Sequence, residues 1–189
     1  MSTPVDDPGT VSAERIRALH EARALAELTA ADRLAPGSDA VAWRGALLAE
    51  VAVVKGLPGP AESTGGAALT GADGEAAAKS LERLGYDPAS AFYTLSRPEP
   101  GIERATRVTR LKAQLAAVDP DLVIALDAEA AQDVAEALGI AKPAFGTVVG
   151  AGGTRMVACD GLEASLGDER NKQRVWRQLK VAAPRGPVY

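Results

Sequence analysis

This chain of 189 residues has one cysteine, one histidine and few aromatic side chains, 4% of the total. The single cysteine, Cys159, excludes an intramolecular disulfide. It also excludes zinc or iron–sulfur sites built from several thiolates of one chain. The lone His20 leaves too little imidazole for a zinc-hydrolase centre or a histidine-based nucleophile triad. With so few aromatics, the core has to be built from Ala, Val and Leu. No apolar run approaches the ~18 residues of a membrane span. The first ten residues lack the basic start and apolar stretch of a secretory signal. A cytoplasmic protein with no membrane partner is the expectation. What is present is ordinary: 47% hydrophobic and 24% charged residues, enough for one domain with its own core. The net charge of -4 argues against a general nucleic-acid coat, though a local basic groove remains compatible with it.

The chain reads as alternating helices and strands. Residues 1–11, with Pro4, Pro8 and Gly9, are expected to be disordered. Ser12 caps a helix to about Ala30, with Ile16, Leu19 and Ala26 near one face. Leu47–Val54 reads as a strand ending in the apolar run Val51–Val54, broken by Lys55-Gly56-Leu57-Pro58-Gly59-Pro60. Ala61–Asp73 reads as a long loop, of the kind that is functional or mobile. A helix over Gly74–Leu84 stops at Gly85, and Ala91–Leu95 is the next strand. A helix over Ile102–Val118 places Val108, Leu111, Leu115 and Val118 on one face. Leu122–Leu126 is the clearest buried strand, and Asp127 caps a helix over Ala128–Leu138. Phe145–Val149 and Arg155–Cys159 read as strands about a hairpin at Gly150-Ala151-Gly152-Gly153. Asp168–Val181 is the last helix, with Val175 and Leu179 inward. This order implies one α/β domain over residues 12–183, a three-layer αβα sandwich about a mostly parallel four-stranded sheet, followed by a tail at 184–189.

Ligands of such folds bind at the carboxyl ends of the strands. That rule selects the Gly56-Leu57-Pro58-Gly59 loop, whose glycines permit close backbone approach and whose amides suit an anion. The competing reading is a plain turn. No Walker-type Gly-Lys-Ser/Thr follows. Lys55, Thr94, Ser96, Asp160 and Gly161 also fall at strand ends. Asp127 reads first as a helix cap. Arg104, Arg107 and Arg110 with Lys112 form either a solvated helix face or a phosphate-contacting one. His20 reads as a surface or packing residue, Cys159 as a small buried hydrophobe and Trp176 as core.

The order of segments resembles the uracil-DNA glycosylase superfamily, in particular its iron–sulfur families four and five, over roughly Leu28 to Val181. VAVVKGLPGPAE resembles the family's first motif, a hydrophobic strand followed by Gly-Glu-Ala-Pro-Gly or Gly-Leu-Ala-Pro-Gly and an acidic residue. TGGAALTGADGEAA resembles its Thr-Gly-Arg-Pro-Phe segment, and LERLGYDPASAFYT the next helix and strand. LKAQLAAVDPDLVIALDAEAAQDVAEALG is the most specific stretch, and ASLGDERNKQRVWRQLK resembles the tail. The resemblance implies the family's fold, but the family's functional groups do not carry over. Gly56 stands at the place of the water-positioning acid, as in family five, which also lacks it. Ala68 or Leu69 stands for the base-stacking Phe, and Leu95 for the uracil-reading Asn. Gly161-Leu162-Glu163 stands for His-Pro-Ser. The four cluster cysteines are missing, with Thr29 to Asp32 near the first pair, so no cofactor is expected.

The expectation is therefore a divergent uracil-DNA glycosylase-like protein without standard glycosylase activity, binding nucleic acid or associated with DNA repair. DNA, single-stranded or damaged, is the candidate partner. Gly56, Leu57, Pro58, Gly59, Thr94, Ser96, Gly161 and Arg107 are the candidate base-pocket residues, with Lys55 and Asp160 as catalytic candidates. The alternatives are an active glycosylase with a rearranged site and a nucleotide- or small-molecule-binding α/β protein.

Overall fold

A computed structural model describes residues 8–35, 37 and 40–184. The first helix, α1, runs over Pro8–Asp32. Pro8 to Val11 therefore belong to a helix and not to a disordered arm, whereas residues 1–7 lie outside the described residues. The inward face of α1 also differs from the expected one. Ile16 is 54% and Leu19 71% exposed, Ala26 is exposed as well, and the buried positions are Ala24, Leu28 and Ala31. These positions at helical spacing form the packed seam in the distal half of α1, while residues 12–20 are exposed.

After α1 come β1 (Arg44–Gly45), β2 (Val51–Lys55), α2 (Pro60–Ser63), α3 (Ala72–Leu84) and β3 (Phe92–Leu95). The second half holds α4 (Arg104–Val118), β4 (Leu122–Ala125), α5 (Ala128–Leu138), β5 (Val149–Ala151), β6 (Thr154–Ala158), α6 (Leu162–Ser165) and α7 (Glu169–Leu179). The strands form one mixed sheet of six, in the order β1-β3-β2-β4-β6-β5. β3, β2, β4 and β6 are mutually parallel, and the edges β1 and β5 pair antiparallel. The expected four-stranded sheet is thus the centre of a larger one. The missed edge β1 is two residues long, too short to show a period, and β5 begins at Val149, where the expected strand was to end. Gly152 and Gly153, both at positive φ, make the hairpin turn between β5 and β6 that side chains with a Cβ resist.

The central strands are buried on both faces, as their continuous apolar runs require. Their side chains alternate between two cores. Val51, Val53, Leu95, Ile124 and Val157 face α3, α6 and α7, with Leu81, Leu162, Val175 and Leu179. Ala52, Val54, Phe92, Val123, Ala125 and Met156 face α1, α4 and α5, with Leu28, Leu111, Leu115 and Val134. Of the expected inward sets on α4 and α7, Leu111, Leu115, Val118, Val175 and Leu179 are buried, and Val108 is partly buried against the core of the first three. The chain leaves β2 for β3 on one side and returns to β4 on the other. The order therefore reverses between β2 and β4, which opens a crevice beyond their carboxyl ends. Among the described residues no helix is long and apolar enough to cross a membrane.

Candidate functional site: a carboxylate-rich pocket at the strand switch point

A cavity of about 380 Å³ occupies that crevice. Lys55, Leu57 and Pro58 come to it from the end of β2, Leu126, Asp127 and Glu129 from the end of β4, Asp73 from α3, and Gly161–Ala164 from the start of α6. The size and the apolar walls suit a small organic ligand.

Lys55 is the last residue of β2 and its side chain is 5% exposed. A lone ammonium does not tolerate that burial, and three carboxylates surround it. Its Nζ donates to Asp73 Oδ2 at 2.5 Å and lies 2.9 Å from Glu163 Oε2 and 3.6 Å from Glu62 Oε2. Burial is the largest single influence and lowers the Lys55 pKa. The hydrogen bonds from Asp73 and Glu163 and the field of Asp73 and Glu62 together outweigh it, so the pKa ends above the ordinary lysine value. The ammonium is held charged and fully engaged. It is a structural cation and not a free nucleophile or anion clamp.

The glycine loop is arranged around the same carboxylates. Glu62 accepts from the Gly59 amide at 2.9 Å and from the Leu69 amide at 2.7 Å. Asp127 caps α5, as expected, by accepting from Ala130, and its other oxygen accepts from the Gly56 amide at 2.8 Å. Burial raises the Asp127 pKa despite these two donors. A Cβ on Gly59 would lie 2.5 Å from Lys55 Nζ, and one on Gly56 would lie 2.6 Å from Asp127 Oδ1. Both glycines are needed for close approach. The Gly56 and Gly59 amides, expected to suit an external anion, are occupied by the protein's own carboxylates.

The expected long loop at Ala61–Asp73 is a correction. It contains all of α2 but its first residue and the first two residues of α3, and it supplies Glu62 and Asp73. Sequence reading missed both, together with Glu163. One signal was available for Glu62: a potential N-cap, Gly59, followed by Pro60 and then by Glu three places on, is a helix-start pattern. Nothing local marks Asp73 or Glu163 as partners of Lys55.

Of the remaining candidates, Leu57, Pro58 and Gly161 line the pocket and Gly59 lies behind Lys55. Asp160 does not line it. Its amide donates to Gln178 and its carboxylate pairs with Arg174, so it belongs to the α7 surface. Thr94 and Ser96 are also absent from it, because Lys55 pairs in register with Leu95 and Thr94 with Val54. The two-residue period of a strand puts Lys55 and Leu95 on one face and Thr94 and Ser96 on the other. There Thr94 donates to Gln114 at 2.9 Å, and Ser96 donates to buried Asp133 at 2.8 Å.

The expected arginine strip is not formed either. Arg110 is 2% exposed, bonded to Asp32 and the Leu95 carbonyl, and burial lowers its pKa. Arg104 forks onto Glu136, and Arg107 donates through Nε to Asp133 at 3.1 Å. Cys159 is fully buried and burial pushes its thiol up to about 12, in keeping with a packing role. Among the described residues no group of three or more His, Cys, Asp or Glu side chains is placed to hold a metal ion.

No protein-family model matches this chain, and neither does any curated protein.

Proposed function

We propose that this protein is a ligand-binding member of the uracil-DNA glycosylase-like fold that does not carry out standard base excision. Its switch-point pocket takes a small, uncharged or cationic molecule presenting N–H donors. One observation carries this reading: among the described residues lining the pocket, Lys55 is the only cationic side chain, and it is saturated by Glu62, Asp73 and Glu163. Glycosidic cleavage needs a donor aimed at the departing base and a positioned water. This pocket presents acceptors instead. Asp127, Glu129 and Glu163 face a space walled by Leu57, Pro58, Leu126 and Leu162, an environment that favours an amine or an amino-bearing heterocycle and repels phosphate.

The likeness to the glycosylase fold is supported by convergence. Leu57 and Pro58, and Gly161–Glu163, which the resemblance equates with parts of the family's first and last motifs, meet at one pocket. The four parallel strands between helical layers accord with the same likeness. Ala68 and Leu69, either of which stands for the stacking Phe, and Leu95, near the place of the Asn, are buried core.

The test is a thermal-shift titration with phosphate-free ligands, adenosine, cytidine and simple aromatic amines, beside uridine. Saturable stabilisation by the amino-bearing compounds, weakened in Glu163→Gln, is expected. Equal shifts with uridine, or none at all, would count against the acceptor-lined pocket. Abasic sites in uracil- or hypoxanthine-containing single-stranded DNA at high protein excess would restore the active-glycosylase alternative.

A further inference from the structure

On the opposite face of the sheet, at the same carboxyl end, the charges are reversed. Asp133 on α5 is 2% exposed, and three groups converge on it. Ser96 and Arg97, just beyond β3, donate to Oδ2 at 2.8 and 2.9 Å, and Arg107 on α4 donates to Oδ1 at 3.1 Å. Both arginines use Nε alone. Among the described residues, no hydrogen bond from the terminal NH₂ groups of Arg97 or Arg107 to the protein is formed, and neither has another carboxylate within salt-bridge distance.

One arginine is enough to neutralise a buried aspartate. The second leaves a surplus positive charge on side chains that are only 21% and 18% exposed. Water at that exposure solvates a guanidinium poorly. Tying each Nε to the same carboxylate holds the two guanidinium groups beside each other and leaves their terminal NH₂ groups without a protein partner among the described residues. This is the preorganisation with which paired arginines clasp a tetrahedral oxyanion. Arg107 and Asp133 border a groove of about 480 Å³ between α4 and α5, whose remaining charges, Arg104 and Glu136, cancel each other. The backbone amide of Arg97 donates to the Gly56 carbonyl, so the pair is anchored to the loop of the switch-point crevice.

We infer that Arg97 and Arg107, aligned by Asp133, form an oxyanion-binding site for a phosphate group. This site is separate from the acceptor-lined pocket and does not depend on its ligand.

Inorganic phosphate titrated into the full chain by calorimetry, against chloride at matched ionic strength, tests it. Saturable binding to one site is expected, weakened about tenfold or more in Arg97→Gln and in Arg107→Gln. Arg23→Gln, which removes an exposed arginine of α1 already paired with Glu27 and outside this groove, leaves the affinity unchanged. Circular dichroism and thermal melts establish that each variant is folded; where one arginine variant is not, the other decides. A competition arm identifies the source of the phosphate. Displacement by a mononucleotide but not by an oligonucleotide without terminal phosphate indicates a phosphomonoester, and the reverse indicates the phosphodiester backbone of nucleic acid. Absence of saturable phosphate binding, or binding insensitive to both arginine substitutions, overturns the inference. Neither result bears on the nucleoside titration.

Discussion

Two ionic clusters cap the same end of the same sheet with opposite signs. On the α3 and α6 face, one ammonium sits among three carboxylates. On the α4 and α5 face, one carboxylate sits among two guanidinium groups and a hydroxyl. Each holds a buried charge that would be intolerable alone, and each is over-compensated. In this comparison the surplus matters more than the pairing. It leaves a negative surplus facing one cavity and a positive surplus facing the other, so the two faces select different ligand chemistry. The partners also differ in replaceability. Carboxylates can neutralise themselves by taking up protons, but guanidinium groups cannot lose theirs.

Removing the central charge of each cluster gives the largest effects. Lys55→Met leaves Glu62 and Asp73, 0% and 5% exposed, without a counter-charge. A loss of about 3–5 kcal/mol is expected at neutral pH by denaturant unfolding. Part of that loss should return on acidification, as the stranded carboxylates protonate. A loss independent of pH would show that lost packing, and not charge, is responsible. Asp133→Asn strands two arginines that retain partial contact with water, so a smaller loss of about 2–4 kcal/mol is expected. It should not recover at any pH between neutrality and the alkaline limit.

Alkaline titration separates the clusters without mutation. The Lys55 pKa is raised above its ordinary value of 10.5, so its contribution is complete below that value. It is lost as pH rises through the raised value. The excess stability of the wild-type chain over Lys55→Met should shrink in that window, whereas its excess over Asp133→Asn should persist. Equal behaviour of the two differences would break the proposed contrast.

How much of this was readable beforehand depended on chain distance. The parallel strands, the Asp127 cap, the hairpin and the inward faces of α4 and α7 each follow from a periodicity or a turn within about a dozen residues. The glycine loop was legible as a close approach, although what approaches it was not. Lys55 meets Glu163 only after the three connections β2–β3, β3–β4 and β4–β6 have been folded, Asp73 lies 18 residues from Lys55, and Asp133 lies 36 residues from Arg97. No local pattern encodes such pairs. The placement of Thr94 and Ser96 was derivable, because a two-residue period separates them from Lys55 once the β2–β3 register is known. That register is itself a tertiary fact. The α1 face failed for a related reason: Ile16 and Leu19 fit a helical stripe, but among the described side chains of α1 the buried ones are Ala24, Leu28 and Ala31.

Smaller substitutions sharpen the comparison by leaving each central charge in place. Ser96→Ala removes one donor from Asp133 while both arginines remain, and about 1 kcal/mol is expected. Phosphate affinity should be retained, because the Nε contacts that align the arginines are untouched.

Glu163→Gln has the smallest expected effect on stability. Its side chain is 44% exposed, and Lys55 keeps Asp73 and Glu62, so the loss should stay below about 1 kcal/mol. The substitution nevertheless removes a negative charge from the pocket lining and gives Lys55 one fewer anionic partner. Binding of amino-bearing ligands should weaken while the melting temperature of the free protein hardly moves. A structural role alone predicts the opposite, stability and binding falling together. The ratio of the two effects in this one variant therefore decides whether the third carboxylate on Lys55 serves the fold or the ligand.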